Sequence, residues 1–72
     1  MKKYSVRVRM SRDAETAPSL TINRTYKTPE IAVRDIEIAV RNGDFLAAFH
    51  SDPSDITYVN ARYIVCLWVT EG

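Results

Sequence analysis

The stretch YIVCLWV, residues 63–69, is an uninterrupted apolar run near the end of the chain, and it decides the fold that the sequence predicts. A strand on solvent alternates apolar and polar residues, whereas a strand covered on both sides is apolar throughout. The run therefore predicts a strand over residues 63–70 with two covered faces. One helix covers only one face of a small sheet, so the other is expected to meet a curled sheet edge, a second copy of the chain or another partner.

Two earlier stretches alternate as half-buried strands do, the first of them strictly. The first, residues 3–10, places four apolar side chains on one face: Tyr4, Val6, Val8 and Met10. The second, residues 19–27, does the same with three: Leu20, Ile22 and Tyr26. We predict a hairpin whose strands are joined by the polar connection 11–18. Arg24 falls in the inward row, where its stem is expected to pack while its charged head reaches water.

The residues that follow the hairpin carry the start and end signals of a helix. Thr28 can cap the first free amides, Pro29 suits the first helical position, and Glu30 favours the positive helix end. The helix is expected to run to about Arg41 and to stop at residues 42–43, where glycine can adopt the left-handed cap. At about 100° per residue, five residues share the arc expected to face the sheet: Ala32, Val33, Ile36, Ala39 and Val40. A second, narrow apolar stripe holds two residues: Ile31 and Ile38.

The remaining segments complete the sheet. Residues 44–50 suit either a strand or a helical turn, and we predict a strand. A loop at 51–55, a short strand at 56–59 and a tight turn at 60–62 precede the final strand. The order β-β-α-β-β-β predicts an α+β fold in a single domain, residues 1–72, with a small antiparallel sheet of four to five strands and one helix packed on one face.

Composition narrows the classes of function. The single cysteine excludes an internal disulfide, and its apolar neighbours predict that Cys66 is buried and inert. A single cysteine and the absence of a signal peptide predict a cytoplasmic protein without a membrane partner. The only histidine, His50, has no second histidine or spare cysteine for a metal site, and two glycines cannot form a phosphate-binding loop. We therefore expect no enzyme, no catalytic residues, no metal and no cofactor.

Charge divides the chain into two halves. Residues 1–27 carry seven basic and two acidic groups, a net charge of +5. Residues 28–72 carry three basic and seven acidic groups, a net charge of −4. The outward row of the hairpin and its ends form a predicted basic face: Lys3, Arg7, Arg9, Arg12 and Lys27. Hydroxyl and amide groups flank this face, as phosphate contacts require, but no aromatic residue is predicted to lie on it.

Surplus apolar surface points to association. Three residues are predicted to contact a partner through apolar side chains: Ile31, Ile38 and Trp68. Aromatic residues are enriched at such contacts. The first hypothesis is therefore a non-enzymatic protein-interaction module that self-associates as a homodimer and binds and modulates another macromolecule. The second is a nucleic-acid-binding domain that uses the basic face. The third is a protein that sequesters a small anionic ligand between subunits.

The chain resembles the small inhibitor proteins of phages and plasmids, such as anti-CRISPR proteins, in its small size, its cytoplasmic character and its lack of a catalytic set of residues. The likeness is one of kind and carries no shared motif. It implies an inhibitor that acts by binding its target.

Overall fold

One α-helix covers one face of a five-stranded antiparallel sheet in the computed structural model, which describes residues 2–10 and 19–72. The elements are β1 (Tyr4–Arg9), β2 (Leu20–Tyr26), α1 (Pro29–Asn42), β3 (Phe45–Phe49), β4 (Thr57–Asn60), a 3₁₀ helix (Ala61–Tyr63) and β5 (Cys66–Glu71). The strands lie in the order β4-β3-β2-β1-β5. This arrangement confirms the predicted α+β fold and the strand over residues 44–50. The connection 11–18 lies outside the described residues.

The helix begins and ends close to the residues that the sequence predicts. The Thr28 hydroxyl accepts a hydrogen bond from the amide of Ile31 at 3.2 Å, and Pro29 occupies the first turn. Gly43 ends the helix with a left-handed φ of 69°, a conformation that costs glycine little. The amide of Asp44 then donates to the carbonyl of Ala39 at 2.9 Å, which satisfies a free helix end.

The core lies between α1 and the inward rows of the strands. Three helix residues are buried: Ala32, Ile36 and Ala39. They meet buried residues from the sheet and the 3₁₀ helix: Val6, Val8, Ile22, Leu46, Ala48 and Ala61. Val33 and Val40, which were predicted to face the sheet, remain 38% and 37% exposed. The helix is therefore rolled by a fraction of a turn from the predicted arc.

A polar contact between β2 and α1 lies on the Asp35 side of the helix. Arg24 donates to the Asp35 carboxylate at 2.8 Å, and the Tyr26 hydroxyl donates to the same oxygen. The contact joins the Asp35 side of the helix to β2, and the opposite border, with Val33 and Val40, is partly exposed to solvent. Arg24 is on the helix side of the sheet, as predicted, and its half-exposed head pairs with Asp35 rather than with water alone.

The pKa values of this contact are shifted by its geometry. Partial burial would raise the pKa of Asp35, but the hydrogen bonds from Tyr26 and Arg24 and the guanidinium charge outweigh it, so this pKa lies below its ordinary value. Burial, followed by the hydrogen bond to Asp35, raises the pKa of Tyr26 to about 12. The hydrogen bond to Asp35 raises the pKa of Arg24. The group is therefore ionised as a carboxylate held by a guanidinium and a neutral phenol.

The final strand is shorter than predicted, and no element of the described chain covers its second face, so cover by a second copy or another partner stays a prediction. β5 begins at Cys66 rather than at residue 63, and it forms an edge of the sheet that pairs with β1. Leu67 and Val69 pack against the core, while the alternate row of β5 faces away from α1. The preceding residues leave the sheet in the 3₁₀ helix, where the Asn60 side chain accepts from the amide of Arg62 at 2.9 Å. The apolar run is thus divided between a helical turn and one strand.

The described part of the chain contains no helix with the length and apolar character needed to cross a membrane.

Candidate functional site

The sheet face opposite α1 is not covered by the helix, and we call it the open face. Its side chains alternate with core residues along each strand. They are Ser5, Arg7 and Arg9 on β1, Thr21, Asn23 and Thr25 on β2, Phe45, Ala47 and Phe49 on β3, Tyr58 and Asn60 on β4, and Cys66, Trp68 and Thr70 on β5. The open face therefore combines aromatic rings, guanidinium groups, hydroxyls and two amides.

Strand register brings the aromatic and basic side chains into one row across the open face, which we call the central row. Arg7 of β1 lies opposite Trp68 of β5 on one side and Thr21 of β2 on the other. Thr21 in turn lies opposite Phe49 of β3. Because directly opposed residues share a face and lie close together, the four side chains form a continuous strip over four strands.

A second row, which we call the polar row, lies beside the central row. Ser5 of β1 is opposite Thr70 of β5 and Thr25 of β2. On β1 and β5 the two rows are separated by about 7 Å, the spacing of residues that share a face, whereas on β2 a register shift places Asn23 between Thr21 and Thr25. The polar row offers three hydroxyl groups, each able to donate and accept a hydrogen bond.

Trp68 is flanked by both arginines of the open face. The guanidinium carbons of Arg7 and Arg9 lie 5.9 and 5.4 Å from the centroid of its ring, within the range of a cation–π interaction. Arg7 also donates to the hydroxyl of Ser19 at 2.8 Å. The Nε atoms of both arginines are buried and have no hydrogen-bond partner among residues 2–10 and 19–72. The ring and the Ser19 contact thus hold two positive charges at fixed places beside an indole.

The rings at the other side of the open face are exposed. Phe45 and Tyr58 keep 66% and 71% of their surface accessible. Tyr58 lies opposite Ala47, whose methyl group leaves the space beside the phenol free. Large apolar groups that stay exposed in this way are more informative than scattered small ones, because they mark surfaces that can be buried by a partner.

No carboxylate belongs to the open face among the residues that the structure describes. The described acidic residues lie on the helix, in the loops that flank β3, and at the helix-side end of β5: Glu30, Asp35, Glu37, Asp44, Asp52, Asp55 and Glu71. The charge division seen along the sequence is therefore also a division in space. The open face is basic, and the acidic groups are on the opposite side or at its ends.

The predicted basic face is largely assembled. Arg7 and Arg9 are on the open face, while Lys3 and Lys27 lie at the end of the first hairpin and line a recess of about 220 Å³. Arg12 lies outside the described residues. The hairpin's own outward rows carry no aromatic residue, as predicted, but β3, β4 and β5 add Trp68 and three further rings to the same sheet face. Alternation within β3 groups Phe45 with Phe49, but only the pairing of β3 with β2 shows which face they take.

The three residues predicted to contact a partner do not form one patch. Ile31 and Ile38, which we call the helix stripe, are 50% and 47% exposed on the outer side of α1. Trp68 lies on the open face, with the sheet between it and the helix stripe. The apolar surface of the molecule is therefore divided between two opposite sides.

The reactive side chains do not converge. Cys66 is exposed on the open face opposite Arg9, so the prediction of a buried thiol is wrong. The alternation of β5 turns Cys66 away from the core because Leu67 and Val69 occupy the inward positions. His50 is exposed just after β3. Within the described ranges, no three His, Cys, Asp or Glu side chains are close enough to hold a metal ion.

No protein-family model, no curated protein and no solved structure matches this chain.

Proposed function

We propose that this protein binds single-stranded nucleic acid on the open face of its sheet. One observation carries the proposal: aromatic rings and arginine side chains share an uncovered sheet face on which the described residues place no carboxylate. Proteins that hold single strands combine a positively charged surface with rings on which bases stack. The proposal assigns a binding role without a catalytic step.

The rings supply the surface for unpaired bases. Phe45 and Tyr58 are the most accessible of them, and Phe49 extends the ring surface towards the central row. Stacking on an aromatic side chain contributes about 1–3 kcal/mol per base and tolerates every base, because each base has a flat face. Paired bases hide these faces in the duplex, so the open face favours single strands over double strands.

The arginines supply contacts to the phosphates. Arg7 and Arg9 lie over Trp68, and their terminal nitrogens, apart from the Arg7 nitrogen that donates to Ser19, are the groups that can reach a ligand. A guanidinium ordered in advance loses less side-chain entropy when it binds phosphate. The hydroxyls of the polar row and the amide of Asn23 add hydrogen-bond donors beside the charges.

The same charges disfavour an alternative in which two open faces pack against each other. A two-fold contact would place Arg7 and Arg9 of one copy against the same residues of the other. No described carboxylate of the open face would neutralise them, and opposed like charges are destabilising. A polyanion is therefore a better occupant of this face than a second copy of the chain.

Binding to a labelled deoxythymidine oligonucleotide tests the proposal. Trp68 is the only tryptophan of the chain, so its fluorescence reports directly on the open face. We expect the oligonucleotide to quench this fluorescence and to bind more tightly than a duplex of equal length. Affinity should fall steeply with added salt, because phosphate contacts release counterions.

A pair of matched double variants localises the binding. Arg7→Gln with Arg9→Gln should weaken binding about tenfold and lower the salt slope by about 1.4, at about 0.7 per phosphate contact on a single strand. Arg34→Gln with Arg41→Gln removes the same charge from the exposed side of α1 and should leave affinity and slope nearly unchanged. Equal losses in both double variants would show that only net charge matters, and would contradict a site on the open face.

A second function, self-association through the helix stripe, is favoured by one specific observation. Ile31 and Ile38 lie one heptad apart and expose about half of their surface each. Apolar helix surfaces of this kind contact partners or second copies. A dimer formed there would leave both open faces free, so it is compatible with nucleic-acid binding. The inhibitor role that the resemblance to small phage and plasmid proteins implies stays a prediction.

A further inference from the structure

The end of the sheet beside the polar row contains a basic recess that the proposed function leaves unused. Five residues line it, and we call it the lysine recess: Lys2, Lys3, Thr25, Tyr26 and Lys27. Its volume is about 220 Å³. Three lysine side chains therefore border this recess together with Thr25 and Tyr26, and each lysine ammonium can donate up to three hydrogen bonds.

The positive charge of the lysine recess is only weakly compensated. Among the described residues, one carboxylate forms an ion pair there: Glu71, 3.8 Å from the ammonium of Lys2. Both partners of this pair are largely exposed, so it is weak and easily exchanged for another anion. Lys3 and Lys27 have no ion pair in the described part of the chain. An anion of more than one charge fits such a group better than a single carboxylate does.

The lysine recess is continuous with the open face. Thr25 belongs to both, because it lines the recess and also forms the polar row with Ser5 and Thr70. A strand that stacks on the rings and follows the arginines can therefore reach the recess across one row of hydroxyl groups. Beyond the recess the described sheet ends, since β1 begins at Tyr4 and β2 ends at Tyr26.

We propose that the lysine recess receives a terminal phosphate monoester of the nucleic acid on the open face, an inference that rests on the proposed function. A phosphate monoester carries a charge of about −1.5 to −2 at neutral pH, against −1 for an internal phosphodiester. Compact lysine ammonium groups bind phosphate as point charges, and three of them match the extra charge of a terminal phosphate on the nucleic acid. The Thr25 hydroxyl supplies a further donor.

Three oligonucleotides of identical length and sequence test this inference: one with hydroxyls at both ends, one with a 5′-phosphate and one with a 3′-phosphate. We expect one of the two phosphorylated forms to bind about 3- to 10-fold more tightly, the gain that two or three exposed charge pairs supply. Lys27→Gln should abolish this gain, and any loss of affinity for the unphosphorylated form should be smaller than the loss for the favoured phosphorylated form. Arg41→Gln, a matched loss of charge on α1, should retain the gain.

Amide chemical shifts of the ¹⁵N-labelled protein locate the effect. The amides of Thr25 and Lys27 should move with the favoured phosphorylated form and stay near their free positions with the unphosphorylated form. Equal affinities for the three oligonucleotides, or a gain that survives Lys27→Gln, would overturn the inference about the recess. The proposed function would stand in that case, provided that the unphosphorylated form binds in an Arg7- and Arg9-dependent manner. Failure of all three to bind would overturn both.

Discussion

The two faces of the sheet are made by the same strands, yet they differ in almost every property. On β1, Val6 and Val8 are fully buried beneath α1, while Arg7 between them turns to the other side and stacks against Trp68. The covered face is apolar, closely packed and free of buried polar side chains among the described residues. The open face is aromatic and basic. The residues of the covered face therefore stabilise the fold, whereas the side chains of the open face are not covered by the helix.

The largest expected effect on stability belongs to the covered face. Ile36 is fully buried at the centre of the helix–sheet contact, so Ile36→Ala should lower the free energy of unfolding by about 2–5 kcal/mol. Glu37→Ala, one position along on the exposed surface, should cost far less. Urea denaturation measures both. Similar losses at the two positions would mean that the helix does not pack through this side.

The aromatic side chains of the open face should show the reverse behaviour. Tyr58→Ala should weaken binding of a single-stranded oligonucleotide by about 1–3 kcal/mol, the contribution of one stacked base. Its free energy of unfolding should change by about 0.5 kcal/mol or less, because the ring is 71% exposed. Trp68 fluorescence and urea denaturation follow the two quantities separately.

Tyr63→Ala is the matched control for this prediction. Tyr63 is 69% exposed, nearly as much as Tyr58, but it belongs to the 3₁₀ helix rather than to a strand of the open face. Its replacement should leave oligonucleotide binding unchanged. Loss of binding in the Tyr63 variant but not in the Tyr58 variant would move the site away from the open face.

The contact between Arg24, Tyr26 and Asp35 joins β2 to α1, and its loss should have a smaller effect on stability. Asp35→Asn removes the charge that both donors share, and should lower the free energy of unfolding by about 0.5–1.5 kcal/mol at neutral pH. In a double-mutant cycle, Arg24→Gln should destabilise the Asp35→Asn variant less than it destabilises the wild type, because the same ion pair is already lost in that variant. An additive pair of losses would contradict a direct contribution of the ion pair.

The pH dependence of this contact follows from its pKa shifts. Folding lowers the pKa of Asp35, so its contribution is present above the unfolded value of about 3.9 and is lost as pH falls through the folded value. Folding raises the pKa of Tyr26 to about 12, so its contribution is present below about pH 10 and is lost as pH rises towards 12. The wild type and Asp35→Asn should therefore converge in stability under acid.

Local signals predicted most of the covered face. The capping residues Thr28 and Gly43 determine where α1 begins and ends, and alternation assigns Val6, Val8 and Ile22 to the core. These signals depend only on residues that are close together in the sequence, so they can be recognised without knowledge of the strand pairing. The roll of α1 was not predicted, because the orientation of a helix on its sheet depends on contacts between elements that are distant in the sequence.

The open face was harder to predict because it depends on pairing between distant strands. Alternation shows that Arg7 and Trp68 each point to one side, but not that they point to the same side. Their adjacency comes from the pairing of β1 with β5, more than fifty residues apart in the chain. The charge of the hairpin was visible in the sequence, and the rings that complete it were not.

The smallest expected effect on stability belongs to Ile38→Asp, which tests whether the outer side of α1 also has a binding role. Ile38 is 47% exposed on the outer side of α1, so the free energy of unfolding should change by about 0.5 kcal/mol or less. If two copies associate through the helix stripe, a buried, unpaired carboxylate at their contact should dissociate them into folded monomers. Trp68→Ala should leave the association unchanged, because like charges disfavour contact between two open faces. Light scattering over a range of protein concentrations measures both, and a wild type that stays monomeric at high micromolar concentration in low and high salt would contradict self-association.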